Sequence, residues 1–413
     1  NKEVQHGERH KVPFWQKTLL YTRMINSFFR APKDMKKLET AFVDVQAYFK
    51  EHYSEHLSIR ELLALFQEIE ERVLNHWYVT LHNDLYAFVW TGILKRRLAG
   101  KGVDVTKYIS GITSLESLKP LKLLLELSEK YGGDADILAN AEVQAYLETY
   151  GDRSPCELKL EVMTYREAPT VLADQMRVYA ADKAKLKDMI RNLQPQAAEK
   201  IGFAAKRAKM GIENREISRL NRSRIYGMVR RIFLRIGKIL YREGRIDAPL
   251  DVFYLEMAEL ESPVDLKQKI AERKAAYAVY ETLPAHTRLV FRGDTLIDEK
   301  TAKNWTGSFE GIGTSAGSIT AEAVVLASPN EKVNVRGKII VTKTTDPGWV
   351  FLLTMAGGII AEKGSLLSHT AIVSREIGIP AVVAVDNATA VIKTGDIIKI
   401  DGDTGRVQIV RAR

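Results

Sequence analysis

The chain has 413 residues, of which 46% are apolar and 27% charged, and its formal net charge is +9. This composition is typical of a folded globular protein, and the length suffices for two or three domains with separate cores. The sequence contains no run of about 18 uncharged apolar residues, so we expect no membrane-spanning helix. The polar N-terminus lacks the apolar centre of a signal peptide. The lone Cys156 excludes an intrachain disulfide, so we expect a cytoplasmic protein. The first residue is Asn1 and not Met, which indicates a processed chain or a piece of a longer protein.

Helical periodicity dominates the sequence up to about residue 285. Ser58 and Glu61 have the spacing of a capping box, and the apolar residues that follow recur every three or four positions. The same kind of pattern predicts further helices over residues 81–100, 114–133, 140–151, 167–193, 215–244 and 262–283. We therefore expect a large all-helical domain over residues 1–285.

The sequence changes character after Arg292. Short β-branched runs bounded by turn residues follow, namely "ITAEAVVLA", "GKIIVTK", "GGIIAEK", "AVVAV" and "DIIKIDGDTGRVQIV", with two helical patches between them. This pattern predicts a compact α/β domain over residues 309–413, joined to the helical domain by a linker, residues 286–308. Within it, "GIGTSAG" at 311–317 has the wrong glycine spacing for a dinucleotide-binding loop, and we interpret it as a structural loop.

Positive charge is concentrated in residues 181–245, which hold 18 Lys and Arg against 6 Asp and Glu. Such a segment can face a phosphate-rich ligand, an acidic partner domain or nucleic acid, and a solvated helical face is equally consistent with it. Arg215, Arg219 and Arg222 share one face of the predicted helix. The apolar stripe of that helix consists of Leu220, Ile225, Met228 and Ile232.

Familiar metal, nucleotide and hydrolase motifs are absent from the sequence. His52 and His56 stand four apart, but they lack the H-E-x-x-H pattern and a nearby cysteine, so we predict no metal site. The chain contains no P-loop and no nucleophile elbow. Because no aromatic platform accompanies the basic helix, we do not expect nucleic-acid binding.

One histidine stands apart, in the segment "EKGSLLSHTAIVSREIGIPAVV". Gly364 and Ser365 form a predicted turn, and Ser368 and His369 begin a short helix that a glycine and a proline end. A helix N-terminus presents unpaired backbone N–H groups and the positive end of the dipole, which favours a residue that takes on the charge of a phosphoryl group. On these features alone, a structural role is the more common one for a histidine at a helix start.

The longer string "TTDPGWVFLLTMAGGIIAEKGSLLSHTAIVSREIGIPAVVAVDNAT" resembles the swivelling phosphohistidine domain of the phosphoenolpyruvate-utilising enzymes. The matching positions are Asp346-Pro347, Gly358, Glu362, Gly364, Ser368-His369, Ala371-Ile372, Arg375-Glu376 and Gly378 through Val382. The departure is Ser365, where the family usually has a second glycine, and a small serine still fits a turn.

The resemblance implies a function for each residue of this segment. His369 would carry the phosphoryl group on a side chain near the surface, and Ser368, Ser365 and Gly364 would stabilise the phosphate. For Arg375 it leaves two roles open, a brace within the swivelling domain and a contact to phosphate.

A weaker resemblance links "YGDRSPCELKLEVMTYRE" and "GRIDAPLDVFYLEMAEL" to the helical middle domain of rifampin phosphotransferase and related proteins. In those relatives a histidine commonly stands where this chain has Asp152, so a proton-transfer role for that histidine does not carry over. The resemblance makes Asp152, Arg153 and Glu157 candidates for the substrate site. The basic helix adds Arg215, Arg219 and Arg222 as further candidates.

Domain order distinguishes members of this family. Phosphoenolpyruvate synthase and pyruvate phosphate dikinase place a (β/α)₈ barrel after the phosphohistidine domain, and with Arg413 as the last residue we expect none here. The chain is closest in order to rifampin phosphotransferase, which has an ATP-grasp domain, a helical domain and a swivelling domain. We expect the ATP-grasp domain on a missing part or a separate subunit, with ATP and Mg²⁺ bound there and no cofactor bound by this chain alone.

The resemblance implies a dikinase-type phosphotransferase that works in two steps. ATP would give its β-phosphoryl group to His369, and the swivelling domain would deliver it to a hydroxyl- or carboxyl-bearing metabolite or antibiotic in the helical domain. Splitting one difficult transfer into two is the general benefit of a covalent intermediate. The alternative is a non-catalytic phosphocarrier or scaffold that partners a separate ATP-grasp protein.

Overall fold

A computed structural model describes the chain over residues 13–99, 108, 119–153, 159–181, 183–192, 202–262, 264–282, 290–292, 295–297, 308–329, 331, 333–345 and 347–413. Within these ranges, the residues before 283 form helices and turns, and all strands come after them. None of the described helices has the length and apolar character needed to cross a membrane.

Nine α-helices precede the first strand in the described part of the chain. They are α1 (Phe14–His52), α2 (Ile59–Arg72), α3 (Val79–Leu98), α4 (Lys119–Tyr131), α5 (Ala141–Tyr150), α6 (Pro169–Ala180), α7 (Lys183–Asn192), α8 (Phe203–Arg242) and α9 (Leu266–Thr282). The capping box predicted at the start of α2 is present, since Ser58 accepts from the Glu61 N–H and Glu61 accepts from the Ser58 N–H. The pattern predicted one helix over 167–193, where the structure has α6 and α7, and the 39-residue α1 was not predicted.

The helix α8 is the axis of the helical part, because α1, α2 and α3 all pack against it. Its predicted apolar stripe is buried. A glycine permits the closest approach, since a Cβ on Gly211 would lie 2.8 Å from the Ala87 Cβ of α3. At the same crossing the Asn83 side chain donates to the Gly211 carbonyl at 2.8 Å. This contact fixes the position of α3 along α8.

The C-terminal part is built on an eight-stranded mixed sheet with the order β3-β10-β9-β5-β6-β7-β8-β4. Its strands are β3 (Ser308–Glu310), β4 (Ile312–Ser315), β5 (Ser318–Val325), β6 (Ile339–Thr342), β7 (Gly358–Ala361), β8 (Ala381–Val383), β9 (Ile397–Asp401) and β10 (Arg406–Arg411). Three helices accompany it, α10 (Val350–Met355), α11 (His369–Ile377) and α12 (Ala388–Val391). The neighbours β5, β6, β7 and β8 run parallel, so α10 and α11 are crossover connections within the sheet.

Two segments differ from their predicted character. Residues 312–315 of "GIGTSAG", interpreted as loop, form β4 and pair antiparallel with β8. The glycines there serve close packing, since a Cβ on Gly313 would lie 2.4 Å from the Gly402 carbonyl oxygen. Within the predicted linker, β1 (Val290–Arg292) and β2 (Thr295–Ile297) pair as a short antiparallel hairpin.

The helical and α/β parts pack directly against each other. Tyr179 of α6 and Thr354 of α10 are both buried, and their hydroxyl oxygens are 2.9 Å apart. The Tyr179 ring also meets Phe351 edge-on, with 5.2 Å between the ring centroids. Burial raises the pKa of Tyr179, so its hydroxyl stays protonated and available for this hydrogen bond. These contacts hold the start of the α/β part over the helical surface.

An ion pair between the buried Arg230 and the partly exposed Glu167 ties the loop before α6 to α8. The Arg230 guanidinium donates to both carboxylate oxygens of Glu167, from Nε at 2.7 Å and from Nη2 at 2.9 Å. It also donates to the Leu160 carbonyl, and Glu167 accepts from the Thr164 N–H at 3.0 Å. Burial alone would raise the pKa of Glu167, but the hydrogen bonds from Arg230 and Thr164 bring it below its usual value.

Replacing Arg230→Met should destabilise the chain by roughly 3 kcal/mol at pH 7, because Glu167 is left partly buried without its cation. Urea unfolding measures the loss, and Arg242→Met, an exposed site on the same helix, should cost less than about 0.5 kcal/mol. Because the pKa of Glu167 is lowered in the folded chain, the stabilisation of the fold by the Arg230–Glu167 pair is present at a pH above the ordinary pKa range of carboxyl groups. It is lost as the pH falls below that range. The gap between wild type and Arg230→Met should therefore narrow in acid. A loss below about 1 kcal/mol at pH 7 would contradict this account.

Candidate functional site

His369 is the first residue of α11, as the spacing predicted, and it follows the carboxyl end of β7. Ser368 is the N-cap residue, and its hydroxyl oxygen accepts from the Ala371 N–H at 3.3 Å. The helix ends at Gly378, which has the left-handed conformation (φ 76°) that suits glycine. Carboxyl ends of parallel strands are where α/β sheets commonly place their ligand sites.

The side chain of His369 is buried, with 4% of its surface exposed. We expected it near the surface, and this prediction was wrong because α11 begins at the contact with the helical part. There the His369 Nδ1 lies 3.8 Å from the Oε2 atom of Glu216 on α8. This distance is too long for a hydrogen bond but within the range of a close electrostatic contact.

Glu216 is completely buried. Its other carboxylate oxygen, Oε1, lies 3.4 Å from Nη1 of Arg219, one helical turn further along α8. A buried carboxylate is strongly unfavourable without cationic or hydrogen-bonding neighbours. Arg219 and His369 therefore flank the Glu216 carboxyl group from two sides.

Arg215 extends the positive charge beside this pair. Its guanidinium Nε lies 3.6 Å from the Asp84 carboxylate of α3, and only about a fifth of its side chain is exposed. Burial lowers the pKa of Arg215, and the charges of Arg219 and Arg222 lower it further. Positive charges that repel each other in this way are poised to gain from an added anion.

The turn before α11 shapes the approach to His369. Ser365 accepts from the Leu367 N–H at 3.3 Å, so the hydroxyl oxygens of both predicted serines are engaged with backbone and their O–H groups can still donate. Gly364 has φ 152°, and a Cβ there would lie 2.9 Å from the Val383 Cβ and 3.0 Å from the Ser368 hydroxyl. The structure thus requires glycine at this position.

Arg375 braces the α/β part internally. Its Nη1 donates to the Thr314 carbonyl at 2.9 Å and its Nη2 to the Leu366 carbonyl at 3.0 Å. These contacts join α11 to β4 and to the turn before His369. Of the two roles left open by the sequence, the geometry favours the brace.

The remaining predicted residues do not gather around His369. Asp152 binds Arg166, with 2.9 Å between Oδ1 and Nε, and it packs on Gly227 of α8. Gly227 is three turns from Glu216, about 16 Å along the helix axis. Arg153 lies in the adjoining turn, where its carbonyl accepts from the Tyr165 N–H. Glu157 is outside the described residues, as is Asp346 of the matched string.

Glu216 is the site residue that the sequence alone did not reveal. In the sequence, Glu216 stands between arginines in "NREISR", a pattern that is typical of an exposed helix surface. Only the structure shows that this part of the helix is buried. Across the described residues, no group of three or more His, Cys, Asp or Glu side chains is placed to hold a metal ion. The site is therefore one of a histidine, a carboxylate and arginines.

Comparison with known proteins identifies relatives of both parts. Residues 334–405 match the family described as PEP-utilising enzyme, mobile domain. Rifampicin phosphotransferase of Bacillus subtilis (strain 168) is 30% identical over 337 residues, covering 74% of this chain and 38% of the relative. The uncharacterized phosphotransferase YvkC of the same organism is 28% identical over 413 residues, covering 90% and 49%. Prodigiosin synthesizing transferase PigC of Serratia marcescens is 27% identical over 305 residues, covering 66% and 33%.

The chain spans between about a third and a half of the length of these relatives. The matched family segment contains the turn, the N-cap serine and His369. Glu216 and the arginines lie before that segment, on the helical part. The site therefore joins residues of the matched domain with residues that precede it.

Replacing Gly364→Ala should destabilise the chain by roughly 3 kcal/mol, since it adds overlap with Val383 and Ser368 to an unfavourable backbone conformation. The matched control is Gly337→Ala, which also has positive φ (68°) but no atom within 4 Å of its added Cβ, and which should cost about 1 kcal/mol. Urea unfolding of both variants measures the difference. Equal losses for the two would show that the close contacts at Gly364 do not matter.

Proposed function

This chain belongs to the PEP-utilising enzymes, whose mobile domain its residues 334–405 match, and we propose that it is a phosphotransferase component in which His369 carries the phosphoryl group. The observation that supports this most is the position of His369 against the buried Glu216 and the arginines of α8. Arg219 contacts the same carboxyl group that faces His369, and Arg215 lies on α8 one residue before Glu216. The name of the Bacillus subtilis relative, rifampicin phosphotransferase, agrees with this chemistry.

The geometry favours Nε2 as the nitrogen that forms the bond to phosphorus. Glu216 lies on the Nδ1 side of the ring, so the carboxylate can hold a proton on Nδ1 and leave the lone pair on Nε2. The short helix α11 presents its N-terminal end at the same place, which favours a group that gains negative charge. Both features suit an imidazole that bears its phosphoryl group on Nε2 when His369 is docked on the helical part.

The arginine row supplies the countercharge. A phosphoryl group brings nearly two negative charges, and each charge-assisted hydrogen bond to it contributes about 1.5–3 kcal/mol. Arg215, Arg219 and Arg222 lie along one face of α8 beside Glu216. Since phosphoryl transfer depends mostly on positioning and on charge stabilisation, this row is where the transferred group should pass.

In the delivery step, an acceptor hydroxyl attacks phosphorus while the bond between phosphorus and Nε2 breaks. The acceptor oxygen gains the phosphoryl group, and its proton passes to solvent water. The imidazole leaves in its neutral form with the proton still on Nδ1. Glu216 is thus a positioning residue of the delivery step, because it faces Nδ1 and fixes the tautomer and orientation of the imidazole while His369 is docked on the helical part.

The acceptor should have an apolar body next to its hydroxyl. Asp84, the partner of Arg215, shares a helix face with Leu81 and Phe88, whose exposed fractions are 68% and 69%. These side chains form an apolar border beside the arginines. Amphiphilic compounds such as antibiotics fit that border better than small polar metabolites do.

The phosphoryl donor belongs outside this chain. We propose an ATP-grasp domain, on a further part of the protein or on a partner subunit, which holds ATP and Mg²⁺ and gives the β-phosphoryl group to His369. That step requires the mobile domain to leave the position seen here, because His369 is buried against α8. In the docked position His369 faces the helical part, which we propose holds the acceptor.

Two substitutions separate the two steps of this mechanism. His369→Ala should lose both phosphorylation by the donor and transfer to the acceptor. Glu216→Gln should accept label from ATP on His369 at nearly the wild-type rate, yet deliver it to the acceptor about 10²-fold more slowly, because the docked imidazole loses the carboxylate that fixes its orientation. The assay uses labelled ATP, an ATP-grasp domain and a panel of hydroxyl compounds that includes rifampicin.

Glu213→Gln, which makes the same change on α8 one turn earlier, is the matched control and should transfer normally. Wild-type transfer by His369→Ala would refute the phosphohistidine mechanism. Stable label on His369 with no phosphorylated product from any acceptor would favour the alternative, a non-catalytic phosphocarrier. Equal slowing of both steps in Glu216→Gln would contradict its assignment to delivery.

A further inference from the structure

A second concave site lies between α1, the end of α2 and the start of α3. It is a cavity of about 550 Å³ open to solvent, within the size range of small-molecule sites. Its apolar floor includes Leu38 and Val79, and its walls are polar. No part of the proposed phosphoryl transfer uses it.

The walls of this cavity are strongly cationic. Arg30, Lys37 and Arg72 line it together with His76 and His82, and Asp34 is the only carboxylate among the lining residues. Asp34 lies 3.7 Å from Arg30, and Arg72 pairs outside the cavity with Glu68 at 2.6 Å. Lys37 has no ion-pair partner within the described ranges of the chain. Unbalanced positive charge in a concave site selects an anion, and arginine in particular matches the oxygens of phosphate.

Aromatic rings stand at one edge of the cavity. Tyr78 and His82 both line it, and their rings meet edge-on with 5.7 Å between centroids. Tyr78 is more than half exposed, so one face of its ring is available to a ligand. A flat apolar surface beside a cluster of cations suits a molecule that has a ring at one end and a phosphate at the other.

The cavity is on the far side of α8 from His369. Leu38 also faces the small gap where α1 meets Asn214, Ile217 and Ser218 of α8. Glu216 precedes Ser218 by two residues, which turns its side chain by about 200° around the helix. A molecule in the cavity therefore cannot touch the transferred phosphoryl group.

We infer that this cavity binds a small organic phosphate that carries a ring, of about the size of a mononucleotide, at a site separate from that of phosphoryl transfer. The cations bind the phosphate, and the exposed face of Tyr78 stacks against the ring. The cavity walls belong to α1 and α3, and both helices pack on α8, so an occupant would brace the helices that hold Glu216 in place.

Isothermal titration calorimetry of the 413-residue chain tests this site with AMP, pyrophosphate and adenosine as probes. AMP should bind saturably at one equivalent, pyrophosphate more weakly, and adenosine not measurably. The double variant Arg30→Gln, Lys37→Gln should weaken AMP binding at least tenfold. The matched control Lys33→Gln, Lys36→Gln removes the same charge from exposed positions of α1 that do not line the cavity, and it should change the affinity less than twofold.

Arg219→Gln serves as the second control. If AMP bound at the phosphoryl-transfer site, this variant would bind AMP more weakly. Loss of binding in Arg219→Gln with retention in the cavity variant would overturn the inference. Equal weakening of AMP binding by the Lys33→Gln, Lys36→Gln variant and the Arg30→Gln, Lys37→Gln variant would also overturn the inference, since it would indicate general charge attraction. The inference would also be overturned if the wild-type chain bound neither AMP nor pyrophosphate. Circular dichroism of each variant verifies that its helices remain folded.

Discussion

The burial of the Glu216 carboxylate is the constraint on which this site depends. A charged group with no exposure to water is tolerated only among compensating charges and donors. Arg219 supplies a charge from the same helix, and the His369 ring lies 3.8 Å from the carboxyl group in the docked arrangement. The acid, the arginines and the histidine are therefore coupled, and a change in the position of any one of them alters the electrostatics of the others.

The surrounding fold positions these groups from two directions. On the helical side, close packing at Gly211 and the Arg230–Glu167 pair fix α8 against its neighbours. On the other side, a glycine turn and an N-cap serine aim the start of α11, and Arg375 ties that turn to the sheet. The hydrogen bond between Tyr179 and Thr354, beside a ring contact to Phe351, joins α6 to α10, and the buried apolar core is continuous across the two parts.

Local patterns in the sequence were sufficient to predict many of the strands and helix starts. β-Branched runs predicted six strands of the large sheet, a capping box predicted the start of α2, and a Gly-Ser turn followed by serine and histidine placed His369 at a helix start. The resemblance to the PEP-utilising enzymes then singled out His369 as the phosphoryl carrier that we propose. These features are local because they depend on neighbouring residues and on helix and strand periods.

The features that the sequence did not predict depend on contacts between residues far apart in the chain. A single sequence does not show which distant residues make such contacts. Glu216 looked like one acid in a basic helix, because its burial follows from the docking of a domain that comes much later in the chain. His369 was expected at the surface for the same reason. Asp152 was a substrate candidate by resemblance, yet it packs on Gly227, three turns away from Glu216 along α8. The glycines at 311–317 suggested a loop, whereas their lack of side chains allows β4 to lie close against the backbone of a neighbouring segment.

Mapping the phosphorylated atom by mass spectrometry tests the central claim most directly. The chain would be incubated with an ATP-grasp domain and ATP, kept at alkaline pH to preserve phosphohistidine, digested and sequenced with a fragmentation method that retains the label. Our account predicts one phosphoryl group, on His369 and on none of the other seven of the eight histidines. A phosphoryl group on any other residue, or consumption of ATP without label on His369, would contradict it.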